Sequence, residues 1–260
     1  MVRQIQTTDE YYEPYDEEED DPLAVFSAPT YFETDEQLVL IAFLMLLEQR
    51  YRLMQSMTLQ EIVDEVDDIM SSLQTELFET VDMKATNHIR NYFEQILDDY
   101  NIPANYVAMD TSMLDLMKDS LNNMVNQLNG EIKVKSKYFI DNMSKDTFNL
   151  MPNFKRAVQK IVDAVGNNLI HGKEKSKRNV YEFVYGKDKL YRWLCVNDMK
   201  TCDWCLYQQS LPPRTIDELP LDHPHGRCTI DPIDYTYSDE YYVMLARGEY
   251  ATAIQLESEY

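Results

Sequence analysis

The chain has 260 residues and a formal net charge of -22, from 24 Lys and Arg against 46 Asp and Glu. This balance excludes a general DNA-coating protein, because such proteins neutralise phosphates with basic side chains. The longest apolar run, Leu38–Leu47, is about half of what a membrane span needs, and four cysteines are too few for a disulfide scaffold in a chain of this length. We therefore expect a soluble, acidic protein that contacts no membrane and stays inside the cell that makes it until it is assembled.

The N-terminal segment, 1–33, is predicted to be a disordered acidic tail. Residues 1–38 hold twelve acidic residues and a single basic one, Arg3, and they show no periodic apolar face. Like charges at this density repel one another, so the segment does not favour a folded state by itself. Two roles stay open: a solubilising tail, or a peptide whose interleaved tyrosines and prolines dock on a basic partner surface.

Residues 34–188 are predicted to form a helical domain. A capping-box pattern that begins at Thr34 predicts a helix over about 35–57, and a second that begins at Thr58 predicts one over 58–100. In the second helix, apolar residues recur at steps of three and four along one face. Such helices are stabilised mainly by packing their apolar faces, which favours a bundle.

Two further helices follow in the same domain. The first runs from Leu114 to a stop at Gly130, and the second runs from Phe154 to about Gly172, because glycine commonly ends helices. The heptad-like spacing within 58–100 leaves self-association through the helices open as an alternative to purely internal packing.

The sign of the charge reverses in residues 133–192, where fourteen Lys and Arg face six acidic residues. The densest part of this stretch follows a His-Gly pair and comprises Lys173, Lys175, Lys177 and Arg178. One interpretation is a solvated loop between two elements. The other is a surface that contacts nucleic acid or an acidic partner.

The pattern changes at residue 189, where a Cys/His-rich module begins. Residues 189–196 are rich in β-favouring side chains and predict a strand. Cys202 and Cys205 form a CxxC pair, and a proline-rich loop leads to a His/Cys half-site after 17 intervening residues. A Cys₃His set of this kind suits zinc, whose binding energy would offset the small core of the module. The predicted ligands are Cys202, Cys205, His223 and Cys228, with His225 as a substitute.

The alternative for these cysteines is a set of buried thiols that form a disulfide under oxidising conditions. Cys195, on the predicted strand, is interpreted as core packing. Two enzyme classes are excluded by residues they require: zinc deaminases need a Glu two residues after a His or Cys ligand, and His-Asn-His nucleases need an Asn and a His after His225. An acid and base pair from Asp198 and His223 is too generic to indicate catalysis.

The module carries a pattern of Trp, Asp, Cys, Pro and His residues in a fixed order. Its members are Trp193, Asp198, Thr201, Cys202, Cys205, Pro212, Pro213, His223, Pro224, Arg227, Cys228 and Pro232. In this order the module resembles the Mu F-like phage head morphogenesis family of minor head proteins. That family shows a Trp-containing strand, an Asp, a Thr-Cys-x-x-Cys, a proline-containing loop and a His-Pro-x-Cys-Arg-Cys. Gly226 stands where the family has its penultimate cysteine.

The resemblance implies a non-enzymatic virion component that occupies the capsid interior after assembly in the host cytoplasm. Its implied partners are the portal protein, the major capsid protein and packaged DNA, and its implied role is head assembly with genome packaging or ejection. Some relatives carry toxin domains after this module, but only about 28 residues follow Pro232 here, too few for such a domain. A stand-alone zinc-stabilised nucleic-acid-binding or regulatory module is the alternative function.

The predicted fold is therefore mainly α, with long amphipathic helices in a bundle and a small C-terminal α+β Cys/His-rich module. The module is expected to span 189–234, and a C-terminal helical tail is expected over 235–260.

Overall fold

A computed structural model describes residues 23–30, 32–142, 148–195, 201–222 and 228–233. The fold in these ranges is mainly helical, as predicted, with a small sheet near the C-terminal end. The α-helices are α1 Thr34–Gln55, α2 Leu59–Thr80, α3 Thr86–Asp99, α4 Ser112–Asn142, α5 Met151–Ile161, α6 Asn167–Tyr185 and α7 Asp203–Gln209. Short π-helical segments, Val81–Ala85 and Val162–Gly166, join α2 to α3 and α5 to α6.

The capping box predicted at Thr58 is confirmed at the start of α2. The Thr58 hydroxyl accepts the backbone N–H of Glu61, and the Glu61 carboxylate accepts the N–H of Thr58 at 2.7 Å. At α1 the predicted box is displaced by one residue, because Glu33 and Glu36 form it. The Gln37 side chain instead donates to the carbonyl of Phe32 at 2.7 Å.

Two predicted helix ends are wrong, and both were placed at a glycine. α4 continues past Gly130 to Asn142, because Ile132 still faces the core there. α6 continues past Gly172, where the Ile89 side chain lies so close that an added Cβ would displace its Cδ1. Gly186 ends α6 instead, with a φ of 85° that favours glycine.

The glycines of the body allow a matched test of packing. A Cβ at Gly166 would overlap the ring of the buried Phe32, whereas a Cβ at Gly130 would meet nothing within 4 Å. Gly166→Ala is expected to destabilise the protein by about 1–3 kcal/mol through overpacking. Gly130→Ala is expected to stabilise it by roughly 0.5–1 kcal/mol, because alanine is the better helix former. Denaturant unfolding measures both, and a stabilising Gly166→Ala would contradict the packing.

The main core lies among α1, α2, α4 and α5, with α2 packed along α4. The sequence predicts that residues 23–30 belong to the disordered tail. They pack on this core instead. Phe26 is buried and lies against Tyr51 and Phe154, with ring centroids 5.7 and 6.5 Å away. The acidic run that motivated the prediction ends at Asp21, so the aromatic residues after it are available for burial.

A three-stranded antiparallel sheet of order β2-β1-β3 forms the C-terminal module, from β1 Leu190–Leu194, β2 Arg214–Thr215 and β3 Thr229–Ile233. β1 confirms the predicted strand over a shorter range. A second buried cluster joins this sheet to the end of α6, so the module packs on the helical body. Its members are Tyr181, Tyr191, Trp193, Ile216, Leu219 and Ile230.

Several predictions fall outside the described residues. They concern residues 1–22 of the acidic tail, the C-terminal helical tail over 235–260, Asp198, and the half-site residues 223–227. Within the described ranges, no helix combines the length and the apolar character that crossing a membrane requires.

Candidate metal centre

The CxxC pair starts the short helix α7. Cys202 is the N-cap of α7, and its sulfur accepts the backbone N–H of Cys205 at 3.4 Å. Cys205 lies in the first turn of the helix and is 2 % exposed. The helix start therefore holds the two cysteines of the pair close together, as the spacing predicted.

Three cysteine sulfurs converge at one end of the sheet. The sulfurs of Cys195, Cys205 and Cys228 all lie within 4.8 Å of one another, which is close enough to share one metal ion. All four cysteines of the chain lie in described ranges, and none of them is joined in a disulfide.

Strand register accounts for two of the three positions. β1 pairs with β3 in antiparallel register, and the last pair is Leu194 with Thr229. One step further along the same register places Cys195 opposite Cys228, where cross-strand neighbours have Cβ atoms about 4.5–5.5 Å apart. The sheet therefore presents two thiols at its end, and α7 supplies the third from Cys205.

The three thiols differ in acidity because they interact with one another. Hydrogen bonds from Cys195 first, and also from Cys205, lower the pKa of Cys228 to about 7 against the opposing effect of burial. The hydrogen bond to Cys228 and burial raise the pKa of Cys195, while burial and the same neighbour raise that of Cys205. Cys228 is therefore the thiol of the cluster that ionises first.

Asp222 connects the cysteines to the helical body. Its carboxylate is 4 % exposed, accepts the backbone N–H of Cys228 at 2.8 Å and lies 3.9 Å from the Cys205 sulfur. Its own backbone N–H donates to the Glu174 carboxylate at 2.9 Å, and its carbonyl is 2.7 Å from Nε2 of His171. Two side chains of α6 thus hold the loop that supports the thiol cluster.

Two of the four predicted ligands meet in the structure. Cys205 and Cys228 come together, whereas Cys202 lies beside Cys205 and outside the group of three sulfurs. His223 and His225 lie outside the described residues. Cys195 packs against the buried cluster of the module, as predicted, and its sulfur is in addition a member of the group of three. The strand register places Cys195 in this group, but it can be applied only once the pairing of β1 with β3 is known.

The four basic residues predicted as contact residues lie on α6, not in a solvated loop. Lys173 pairs with the carboxylates of Glu33 and Glu36, both at 2.9 Å, and its pKa is raised because these hydrogen bonds outweigh the lowering effect of burial. Lys175 donates to the hydroxyl of Ser112 at 2.9 Å.

The other two residues of this group contact the C-terminal module. Lys177 donates to the Thr229 hydroxyl at 2.6 Å, and burial lowers its pKa. Arg178 pairs with Glu174 and donates to the carbonyl of Leu219 at 2.7 Å. All four side chains therefore make internal contacts. Binding of nucleic acid or an acidic partner through them stays a prediction.

Replacement of Lys173 is expected to weaken the attachment of α1 to α6. Lys173→Ala leaves the buried Glu36 carboxylate without this cation, so we expect a loss of about 2–3 kcal/mol, below the roughly 3–5 kcal/mol of a fully buried pair. Lys175→Ala, the matched control, is expected to change stability by less than about 0.5 kcal/mol. Urea denaturation of both variants tests this, and equal effects would contradict it.

No protein-family model, curated protein or solved structure matches this chain.

Proposed function

We propose that this protein is a minor head protein of a tailed phage, bound to the portal or the inner capsid, where it assists head assembly and genome packaging or delivery. The observation that carries the proposal is the motif of the C-terminal module, which resembles the Mu F-like family. The convergence of Cys205 and Cys228 supports it, because two separate parts of that motif meet at one site.

An exposed apolar row on α1 supports a role in assembly. Leu38, Ile41 and Met45 follow one another at steps of three and four, so they lie along one side of the helix. They are 61 %, 38 % and 52 % exposed. Apolar side chains aligned in this way are suited to burial against another protein.

We also propose that the C-terminal module binds Zn²⁺ as a structural ion. Cysteine thiolates are preferred zinc ligands, and the three clustered sulfurs come from separate parts of the module. Among the described residues, the buried cluster of the module has six members, one of them from α6, so ligand binding would add folding energy to a small core.

Copurification tests the assembly role. The full chain, co-expressed with the portal and major capsid proteins of the phage that encodes it, is expected to copurify with one of them. A Leu38→Asp, Met45→Asp double variant is expected to copurify less, while Gln60→Asp, at an exposed polar position, serves as the control.

Binding to DNA separates the proposal from the alternative of a nucleic-acid-binding module. Micromolar binding of the free chain to DNA, with a steep loss of affinity as salt increases, would favour that alternative. Failure to copurify with either head protein, together with such binding, would overturn the proposed function.

A further inference from the structure

We infer that the metal site of the module is a four-cysteine site formed by Cys195, Cys202, Cys205 and Cys228, with Cys195 in the place that the motif suggests for His223. This inference rests on the proposal that the module binds zinc, and it names the ligands. It does not depend on the role of the protein in phage heads.

The three clustered sulfurs are close enough together to form one face of a tetrahedral site. Zinc–sulfur bonds of about 2.3 Å place the sulfurs of a tetrahedral site roughly 3.8 Å apart. The sulfurs of Cys195, Cys205 and Cys228 lie within 4.8 Å of one another, so an ion would draw them together by about 1 Å at most. Side-chain rotation alone can supply a movement of this size.

Cys195 is held in this position by the sheet, not by chance contact. The register of β1 and β3 places it opposite Cys228, and its backbone N–H donates to the side-chain oxygen of Gln209 at 2.8 Å. Gln209 is the last residue of α7, whose first turn carries Cys205. The same helix thus contacts the backbone of Cys195 and supplies a neighbouring thiol.

We assign the fourth position to Cys202. It precedes α7 directly, and its sulfur accepts the N–H of Cys205 at 3.4 Å. A CxxC pair commonly gives both of its sulfurs to one zinc ion.

The end of the sheet that carries the thiols also carries a positive charge. Lys177 donates to the side chain of Thr229, the residue after Cys228, and so lies close to the cluster. The indole N–H of Trp193, on β1, is buried without a hydrogen-bond partner in the described ranges. Four thiolates around Zn²⁺ carry two net negative charges, which Lys177 would stabilise and which the Asp222 carboxylate, 3.9 Å from the Cys205 sulfur, would oppose.

X-ray absorption at the zinc edge, measured on the purified full chain loaded with one equivalent of Zn²⁺, tests the ligand set. We expect four sulfur ligands at about 2.3 Å, and no nitrogen at about 2.0–2.1 Å. Three sulfurs and one nitrogen would overturn the inference in favour of a histidine ligand, and would leave the zinc proposal intact. Failure to bind zinc would overturn the zinc proposal itself, whereas the assembly role is decided separately by copurification.

Two variants provide an independent measurement. Loss of a residue that only hydrogen-bonds to a zinc ligand typically weakens metal binding by roughly 10–100-fold. Cys195→Ser is expected to weaken zinc binding by more than this, because it removes a ligand. A His223→Ala, His225→Ala double variant is expected to bind zinc as the unaltered chain does. Competition with a chromophoric chelator gives both affinities, and the reverse order of effects would contradict the four-cysteine set.

Discussion

Removal of zinc from the purified protein is expected to unfold the C-terminal module, residues 189–233, and to leave the helical body folded. The buried cluster of the module is small, whereas the main core spans α1, α2, α4 and α5. Apparent binding free energies of structural zinc reach roughly 10–16 kcal/mol, so hydrogen-exchange protection in β1 and β3 should fall about a thousandfold or more. Protection in α2 and α4 should stay unchanged.

The controls for this experiment are cysteine variants and the re-addition of metal ions. Cys228→Ser and Cys202→Ser are expected to loosen the same residues without added chelator. Zinc should restore protection to the unaltered chain, and magnesium should not, because thiolates are poor ligands for magnesium. Affinity should also weaken as pH falls, since the thiolates must lose protons to bind the ion. Full protection of β1 and β3 after metal removal would show that the sheet is stable without an ion.

Truncation of Phe154 is expected to cause a large loss of stability in the helical body. Phe154 is fully buried, and its ring centroid lies 5.2 Å from that of Tyr51 in an edge-to-face arrangement. Phe154→Ala should cost about 3–5 kcal/mol, because it removes buried apolar area and leaves a cavity. Phe183→Ala, at a side chain that is 51 % exposed, is expected to cost less than about 1 kcal/mol.

Urea unfolding monitored by circular dichroism at helical wavelengths measures both phenylalanine variants. Equal losses in the two variants would contradict the placement of Phe154 in the core. The comparison also separates the body from the module, because neither residue belongs to the sheet or to the thiol cluster.

Apolar periodicity predicted the helices from α1 to α5 and the start of α6, because each one packs an apolar face on the core, but it predicted neither α7 nor the second half of α6. It failed at helix ends that carry glycine. Gly172 allows close packing of α6 against Ile89 of α3, and Gly130 lies where a side chain would meet open space. A glycine that serves helix packing and one that ends a helix have the same local sequence pattern, so only the tertiary contacts distinguish them.

The candidate site was predictable where its geometry is local. The CxxC spacing placed Cys202 and Cys205 together because both lie at the start of one helix. Cys195 could not be assigned in this way, since its proximity to Cys228 depends on the pairing of β1 with β3, and the last register pair of these strands, Leu194 with Thr229, is 35 positions apart along the chain. The part played by Asp222 likewise depends on contacts with α6 that no local pattern specifies.

Mass spectrometry of purified phage heads tests the proposed function most directly. Heads should be washed with salt and nuclease, and separated from unassembled protein, before digestion and quantification against the major capsid protein. We expect peptides of this chain in the heads at few copies per particle, a number far below that of the capsid protein. Their absence from such heads would contradict the assignment as a minor head protein.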